Sequence, residues 1–250
     1  MPTDRIAFLE LGFDRLTMDE VLGRLAGVRA DDPFTYLVTP NVDHVVRIER
    51  EGIAELYTQA DLCLCDSRVL HKLARLQGID LPVVPGSDLT RRLLDEVVVP
   101  SDRLCVVGGD SDMIAALRRL YPRCEFIHHE PPHGLRSNEA ARNAAAEAIV
   151  AARARFTFLA VGSPQQEMIA AAVRKLPGAG GTALCIGASL DFIVGKQRRA
   201  PRLLQKLTLE WAYRLAAEPK RMWRRYLVDG PRIFLLTARH YGRRRDADQS

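Results

Sequence analysis

Short apolar runs alternate with amphipathic stretches through the first 195 residues, and this alternation constrains the fold more than any other feature. Ile6–Leu9, Thr35–Thr39, Asp61–Cys65, Leu81–Val84, Arg103–Val107, Cys124–Ile127, Phe156–Val161 and Ala183–Ile186 read as strands. Between them Asp43–Tyr57, Arg68–Leu76, Asp88–Val97, Ser111–Tyr121, Asn138–Arg153 and Gln165–Lys175 read as helices. Strands that are apolar almost throughout are buried on both faces, and the helices between them supply the crossovers of parallel βαβ units. The expected fold is α/β: a Rossmann-like, mostly parallel sheet with helices on both faces.

After Pro201 the pattern changes to helices without strands. Leu203–Ala217, Pro219–Val228 and Pro231–Tyr241 read as helices, with Pro219 and Pro231 at first-turn positions where a missing N–H costs nothing. The expected division is an α/β body over residues 1–198 and a basic helical appendage over 199–250, its polar end Arg243–Ser250 disordered. From Lys196 onward 15 Lys or Arg face 5 Asp or Glu, whereas the preceding residues carry 21 against 26. Such asymmetry points to an acidic partner for the appendage: nucleic acid, phosphates or an anionic membrane.

Five cysteines lie mostly inside apolar runs with no paired spacing, which suits a reducing compartment. Cys63 and Cys65 read as buried strand residues and not as metal ligands. The opening MPTDRIAFLELGFD lacks a basic start followed by an apolar core, and no stretch of 18 apolar residues occurs. The expected location is cytoplasmic, with the appendage available for docking to a surface.

In a parallel sheet ligands bind beyond the carboxyl ends of the strands. Those ends read Thr39-Pro40-Asn41, Asp66-Ser67-Arg68, Gly108-Gly109-Asp110, Gly162 to Glu167 and Gly187 to Asp191. Small, polar or glycine-rich turns let a backbone approach a ligand closely, so together they describe a nucleotide- or phosphate-binding rim. Asp110 or Ser111 also serves as a helix cap, and VVGGDSD is not a complete dinucleotide fingerprint. In GSPQQE, Ser163 can cap, Pro164 fits a first helical turn and Glu167 suits the positive helix end; Gln165 and Gln166 remain as neutral amides for a base or sugar hydroxyls. Asp66 either caps the helix beginning near Arg68 or acts as a general base. Asp43 and His44 are weaker candidates for that role. HHEPPHG, with His128, His129 and His133, reads as a surface loop and not as a metal cluster, because Pro131 and Pro132 hold it extended. In the appendage, Arg198, Arg199, Arg214, Arg221, Arg224 and Arg225 interleave with Trp211, Tyr213, Trp223 and Tyr226. That texture suits a solvated face, stacked nucleic acid, or membrane docking with arginine held on a diphosphate. Ile233–Leu236 below Arg239 and Arg243–Arg245 favours docking.

RAPRLLQKLTLEWAYRLAAEPKRMWRRYL (199–227) resembles the signature of the WecG/TagA/CpsF glycosyltransferases, ending in its Arg-Tyr. TPN at 39–41, Asp66, PGSDL at 85–89, VVGG at 106–109, PPHGL at 131–135 and GSPQQE at 162–167 follow in the family's order, covering the chain from about residue 30. The resemblance implies an inverting transfer from a UDP-sugar (UDP-N-acetylmannosamine, its uronate, UDP-glucose or similar) to an undecaprenyl-diphosphate-linked sugar in cell-surface polysaccharide synthesis, without an essential metal or other cofactor. It implies a peripheral site of action on the inner face of a bacterial plasma membrane, with the appendage closing over the active site. Carried onto matching positions, Asp66 is the base, Thr39 and Asn41 lie by the reacting sugar and Gln166 contacts nucleotide or sugar. Arg214, Arg221 and Arg224 bind the diphosphate, whose developing charge they neutralise. Many members have Asp-Gly where this chain has Asp66-Ser67, and an arginine where it has Val83-Val84-Pro85, so the donor sugar stays open. A homo-oligomer is compatible with the sequence. A nucleic-acid-binding protein or a non-catalytic membrane scaffold are the rivals, and neither accounts for the polar rim; no nucleic-acid partner is expected.

Overall fold

Thr17 opens the first helix through a reciprocal cap: its hydroxyl accepts the Glu20 N–H at 3.4 Å, and the Glu20 carboxylate accepts the Thr17 N–H at 2.7 Å. The computed structural model describes residues 4–197, 200, 201, 204 and 210–248. Strands β1 (Arg5–Phe8) and β2 (Leu11–Asp14) form an antiparallel hairpin, followed by the capped helix α1 (Met18–Ala26). Next come β3 (Thr35–Val38), α2 (Val42–Glu51), α3 (Glu55–Thr58), β4 (Leu62–Cys63), α4 (Arg68–Arg75) and α5 (Gly86–Arg92). Then follow β5 (Arg103–Val107), α6 (Ser111–Leu120), β6 (Glu125–His129), α7 (Glu139–Ala152), β7 (Phe156–Leu159), α8 (Gln165–Val173), β8 (Thr182–Cys185) and α9 (Ser189–Ile193). The C-terminal region supplies α10 (Glu210–Ala217), α11 (Pro219–Trp223), continued by a wide helical turn over Arg224–Asp229, and α12 (Arg232–Asp248).

Strands β3 to β8 make one parallel sheet in the order β4-β3-β8-β7-β5-β6. Period-two alternation sends Leu104 and Val106 of β5 to one face and Cys105 and Val107 to the other, each into its own core cluster. The α/β, Rossmann-like sheet with helices on both faces is therefore present. Strand β5 leads outward to β6 while β7 leads back to β8, so the order reverses between the ends of β5 and β7, the position where such sheets take ligands.

Four expectations change. The end expected to be disordered, Arg243–Ser250, instead continues helix α12 as far as Asp248, and residues 249 and 250 lie outside the described residues. Leu81–Val84 adds no strand: Val83 makes a single bridge to Cys65, because Pro82 and Pro85 lack the N–H that a ladder needs. Ile6–Leu9 pairs with Leu11–Asp14 outside the parallel sheet, through a turn that holds Leu9 and Glu10 at positive φ. The stretch Asp43–Tyr57 breaks at Gly52, whose φ of 65° ends α2.

The C-terminal helices dock on the sheet side that carries α2 and α4. Ile233 is 1% exposed within the core cluster on that face, a burial worth about 1.5–3 kcal/mol. Gln77 donates to the Thr237 carbonyl at 3.0 Å, and Arg50 pairs with Asp229 at 3.3 Å. Among the described residues no helix is long and apolar enough to cross a membrane.

Candidate active site

Parallel pairing of Val38 with Cys63 sets the turns after β3 and β4 side by side, and the Asp66 N–H donates to the Pro40 carbonyl at 3.1 Å. Ser67, not Asp66, caps α4, its hydroxyl accepting the Leu70 N–H at 3.2 Å. Capping therefore does not account for the carboxylate. Gly86, the first residue of α5, presses against the same place: a Cβ there would stand 2.7 Å from Thr39 Oγ1 and 3.5 Å from Asp66 Oδ2. Thr39 is buried at 8% exposure, so the glycine is what lets α5, Thr39 and Asp66 meet.

Asn41 caps α2. Its carboxamide oxygen accepts from Asp43 N–H at 3.0 Å and His44 N–H at 3.4 Å, while its amide nitrogen makes no hydrogen bond among the described residues. His44 Nδ1 lies 2.9 Å from the same oxygen, and burial pushes the imidazole down to about 3, so it stays neutral. A neutral imidazole in a cap is a structural part and leaves Asp66 as the base candidate.

A cavity of about 510 Å³ opens over these turns. Its floor comes from Asn41, Asp43, Asp66, Ser67 and Arg68, and one wall from Val69, Val83, Pro85 and Ser87. The C-terminal helices close it with Trp211, Arg214, Arg225, Tyr226 and Phe234. Arg214 lies over the Phe192 ring at 5.2 Å, and Trp211 and Tyr226 pack at 6.2 Å between ring centres. Carboxylates below and guanidinium groups above thus share one enclosure.

The expected residues divide. Asn41, Asp66 and Arg214 line the cavity, with Thr39 packed behind Gly86. Arg224 is exposed and is absent from the described lining, whereas its neighbour Arg225 is in it, 3.4 Å from Asp43. The family signature ends on Arg-Tyr, and in this chain the arginine before Tyr226 is Arg225. The side chains of Arg221 and Arg243–Arg245, and residues Arg198 and Arg199, lie outside the described residues.

The other rim residues sit farther along the strand ends. With strands about 4.8 Å apart, the β4 and β5 ends are roughly 19 Å from each other. Gly108 and Gly109 turn the chain at positive φ, and a Cβ on Gly108 would meet Val161 at 2.7 Å. Asp110 caps α6, accepting the Met113 N–H at 2.8 Å, and pairs with Lys196 at 2.6 Å, whose ammonium holds the carboxyl below its usual range. That helix end already carries an anion, so it is a poor seat for a diphosphate. Gly162 opens the turn into α8, where Gln165 is partly buried, and Gln166 and Glu167 are buried at 3% and 1% exposure. Gln166 spends its carbonyl on the Gly187 N–H and its amide on Glu167, which ties the β7 and β8 turns together. Among the described residues no three His, Cys, Asp or Glu side chains come together to hold a metal, the histidines at 128–133 included.

Comparison with known proteins identifies relatives of the chain. The N-acetylglucosaminyldiphosphoundecaprenol N-acetyl-beta-D-mannosaminyltransferases of Staphylococcus aureus strains NCTC 8325 / PS 47, COL and MSSA476 are each 25% identical to the chain over 231 residues. The alignments cover 89% of this chain and 88% of those enzymes. The family model described as "Glycosyl transferase WecG/TagA/CpsF family" matches residues 6–247, and the chain, a glycosyltransferase, belongs to that family.

Proposed function

We propose that the protein transfers a sugar from a UDP-sugar to a polyprenyl-diphosphate-linked sugar, with inversion, at the cytoplasmic surface of a bacterial membrane. The observation that carries this reading is that Asp66 and the guanidinium groups of Arg214 and Arg225 line one cavity. Asp66 takes the proton of the acceptor hydroxyl as its oxygen attacks the anomeric carbon. The bond from that carbon to the β-phosphate oxygen breaks with its electron pair on UDP. The arginines hold the charge that develops there, in place of a metal ion. Because the N-terminus of α6 is already capped by Asp110, the nucleoside end is assigned to the rim between Gly108, Gly162 and Gly187, and the diphosphate to the arginine side. Val69, Val83 and Pro85 give the sugar an apolar wall, with Arg68 beside it in the cavity floor.

The test is UDP release from a panel of UDP-sugars, with and without a short-chain polyprenyl-diphosphate-sugar, for the parent and Asp66→Asn. Acceptor-dependent release from one donor, reduced by on the order of 10²-fold or more in the variant, is the expected result. Release that survives in Asp66→Asn would remove the base from the scheme, and no release with any donor would remove the reaction.

A further inference from the structure

Asp43 has no part in the proposed bond-making, and Asn41 already caps α2, yet its carboxylate is shared between two arginines from different parts of the molecule. Oδ2 stands 2.8 Å from Arg47 Nη2, one helical turn on, and Oδ1 stands 3.4 Å from Arg225 Nε in the C-terminal region. The other arm of Arg47 donates to the Ser163 carbonyl, in the turn that runs from Gly162 to Glu167. Ser163 is held in turn by the Tyr57 hydroxyl at 2.8 Å. One continuous connection therefore runs from the β7–α8 turn through Arg47 and Asp43 to Arg225.

The electrostatics make this arrangement more than a surface pair. The side chains of Asp43, Arg47 and Arg225 are 16%, 22% and 28% exposed, so salt screens them less than it screens free surface charges. One carboxylate between two guanidinium groups leaves an excess positive charge at the cavity wall. The Arg225 contact to Asp43 is an ion pair without hydrogen-bond alignment, its buried Nε making no hydrogen bond among the described residues. The pairing turns the base of the planar fork toward Asp43 while Arg225 lines the cavity, where a guanidinium can take an anion bidentately.

We infer that Asp43 is a positioning residue: it sets the Arg225 guanidinium for a diphosphate in the cavity and, through Arg47, couples that arginine to the 162–167 turn. The inference rests on the reading of the cavity as a diphosphate site. Occupation of the turn by the nucleoside would then favour the Arg225 geometry, and binding of a diphosphate in the cavity would by reciprocity favour the nucleoside.

The experiment uses the full chain and a fluorescent farnesyl diphosphate, titrated by anisotropy with and without uridine, which carries no diphosphate to compete for Arg225. Asp43→Asn, which keeps the shape of the side chain, should weaken farnesyl diphosphate binding about tenfold, with Asp43→Glu recovering part of the loss. In an Arg225→Ala background the same change should add nothing, because Asp43 acts through Arg225. Uridine should tighten farnesyl diphosphate binding by the parent about fivefold or more, and Asp43→Asn should abolish that gain. Parental affinity in Asp43→Asn, losses that simply add in the double variant, or a parent that does not bind farnesyl diphosphate would each overturn the inference. Should Asp43→Asn fail to fold, Arg47→Lys carries the test: losing the uridine-dependent gain supports the coupling, and retaining it overturns it. None of these readings needs turnover, so a protein that binds as described yet transfers no sugar would sink the proposed reaction alone.

Discussion

The Gly187 N–H donates to Gln166 Oε1 at 2.9 Å, a contact across 21 residues that fixes the turn after β8 against the turn after β7. The other end of the same carboxamide donates to Glu167 Oε1 at 2.9 Å, so a buried carboxyl orients the amide that joins two rim turns. The dipole argument makes Glu167 a charge at a helix N-terminus, but its side chain is inside the protein, not at the surface.

That burial has a pH signature. It pushes the Glu167 carboxyl above its ordinary value of 4.5, against the hydrogen bond from Gln166 and the charge of Arg47. The native state keeps a proton that the unfolded chain has lost, so Glu167 contributes stability that is complete below about 4.5 and is lost as pH rises through the higher native value. Glu167→Gln removes this titration and keeps an oxygen for the Gln166 amide. In urea unfolding from about pH 4 to about pH 8, the stability difference should shift in favour of Glu167→Gln as pH rises. A difference that stays flat would mean that both states ionise alike.

Gly86→Ala separates site geometry from stability. Gly86 needs no unusual backbone angle, and alanine in a helix is favoured by roughly 0.5–1 kcal/mol, which offsets part of the roughly 1–3 kcal/mol that crowding a buried site costs. A Cβ 2.7 Å from Thr39 Oγ1 nevertheless forces Thr39 to move, with Asp66 Oδ2 next in line at 3.5 Å. Displacing reacting groups by about 1 Å costs on the order of 10²-fold in rate, so turnover of the folded variant should fall by that much while the urea midpoint drops only modestly. Unchanged UDP release would show that the reaction does not depend on how Thr39 and Asp66 are packed.

Much of this was legible in the chain, and the misses have physical causes. The strands of the parallel sheet appear as apolar runs because both of their faces are covered, and the turns beyond them carry the glycines and polar residues that a rim needs. Leu81–Val84 looks like one more such run, but periodicity does not register the two prolines' missing donors. Helix α1 was announced by Thr17 and Glu20 three residues apart, a cap signal that an apolar count passes over. The exchange of Arg224 for Arg225 has a different origin. Two adjacent arginines on a helix point about 100° apart, and only packing against α2 selects the one that meets Asp43. Nor does spacing tell that Gln166 turns inward to Gly187 when Gln165 beside it keeps partial exposure.

The last prediction concerns the outer surface of the C-terminal helices. Trp223, Val228 and Leu235 are 48%, 46% and 54% exposed, on elements that also present Arg224 and Arg232 to solvent, and none of the three lines the cavity. Apolar side chains beside cations suit an anionic lipid surface, where burying each large side chain is worth about 1.5–3 kcal/mol at most. Val228→Ser combined with Leu235→Ser should leave folding within about 0.5 kcal/mol per site, since both side chains already face solvent. Binding to vesicles of mixed neutral and anionic lipid should fall by on the order of tenfold or more. Raising salt should weaken what remains, because the arginine contribution is screened over about 8 Å at physiological ionic strength. UDP release with a water-soluble short-chain acceptor should be unaffected, while release with a vesicle-embedded acceptor should drop together with binding. Equal vesicle binding by parent and variant would move the docking surface elsewhere on the molecule.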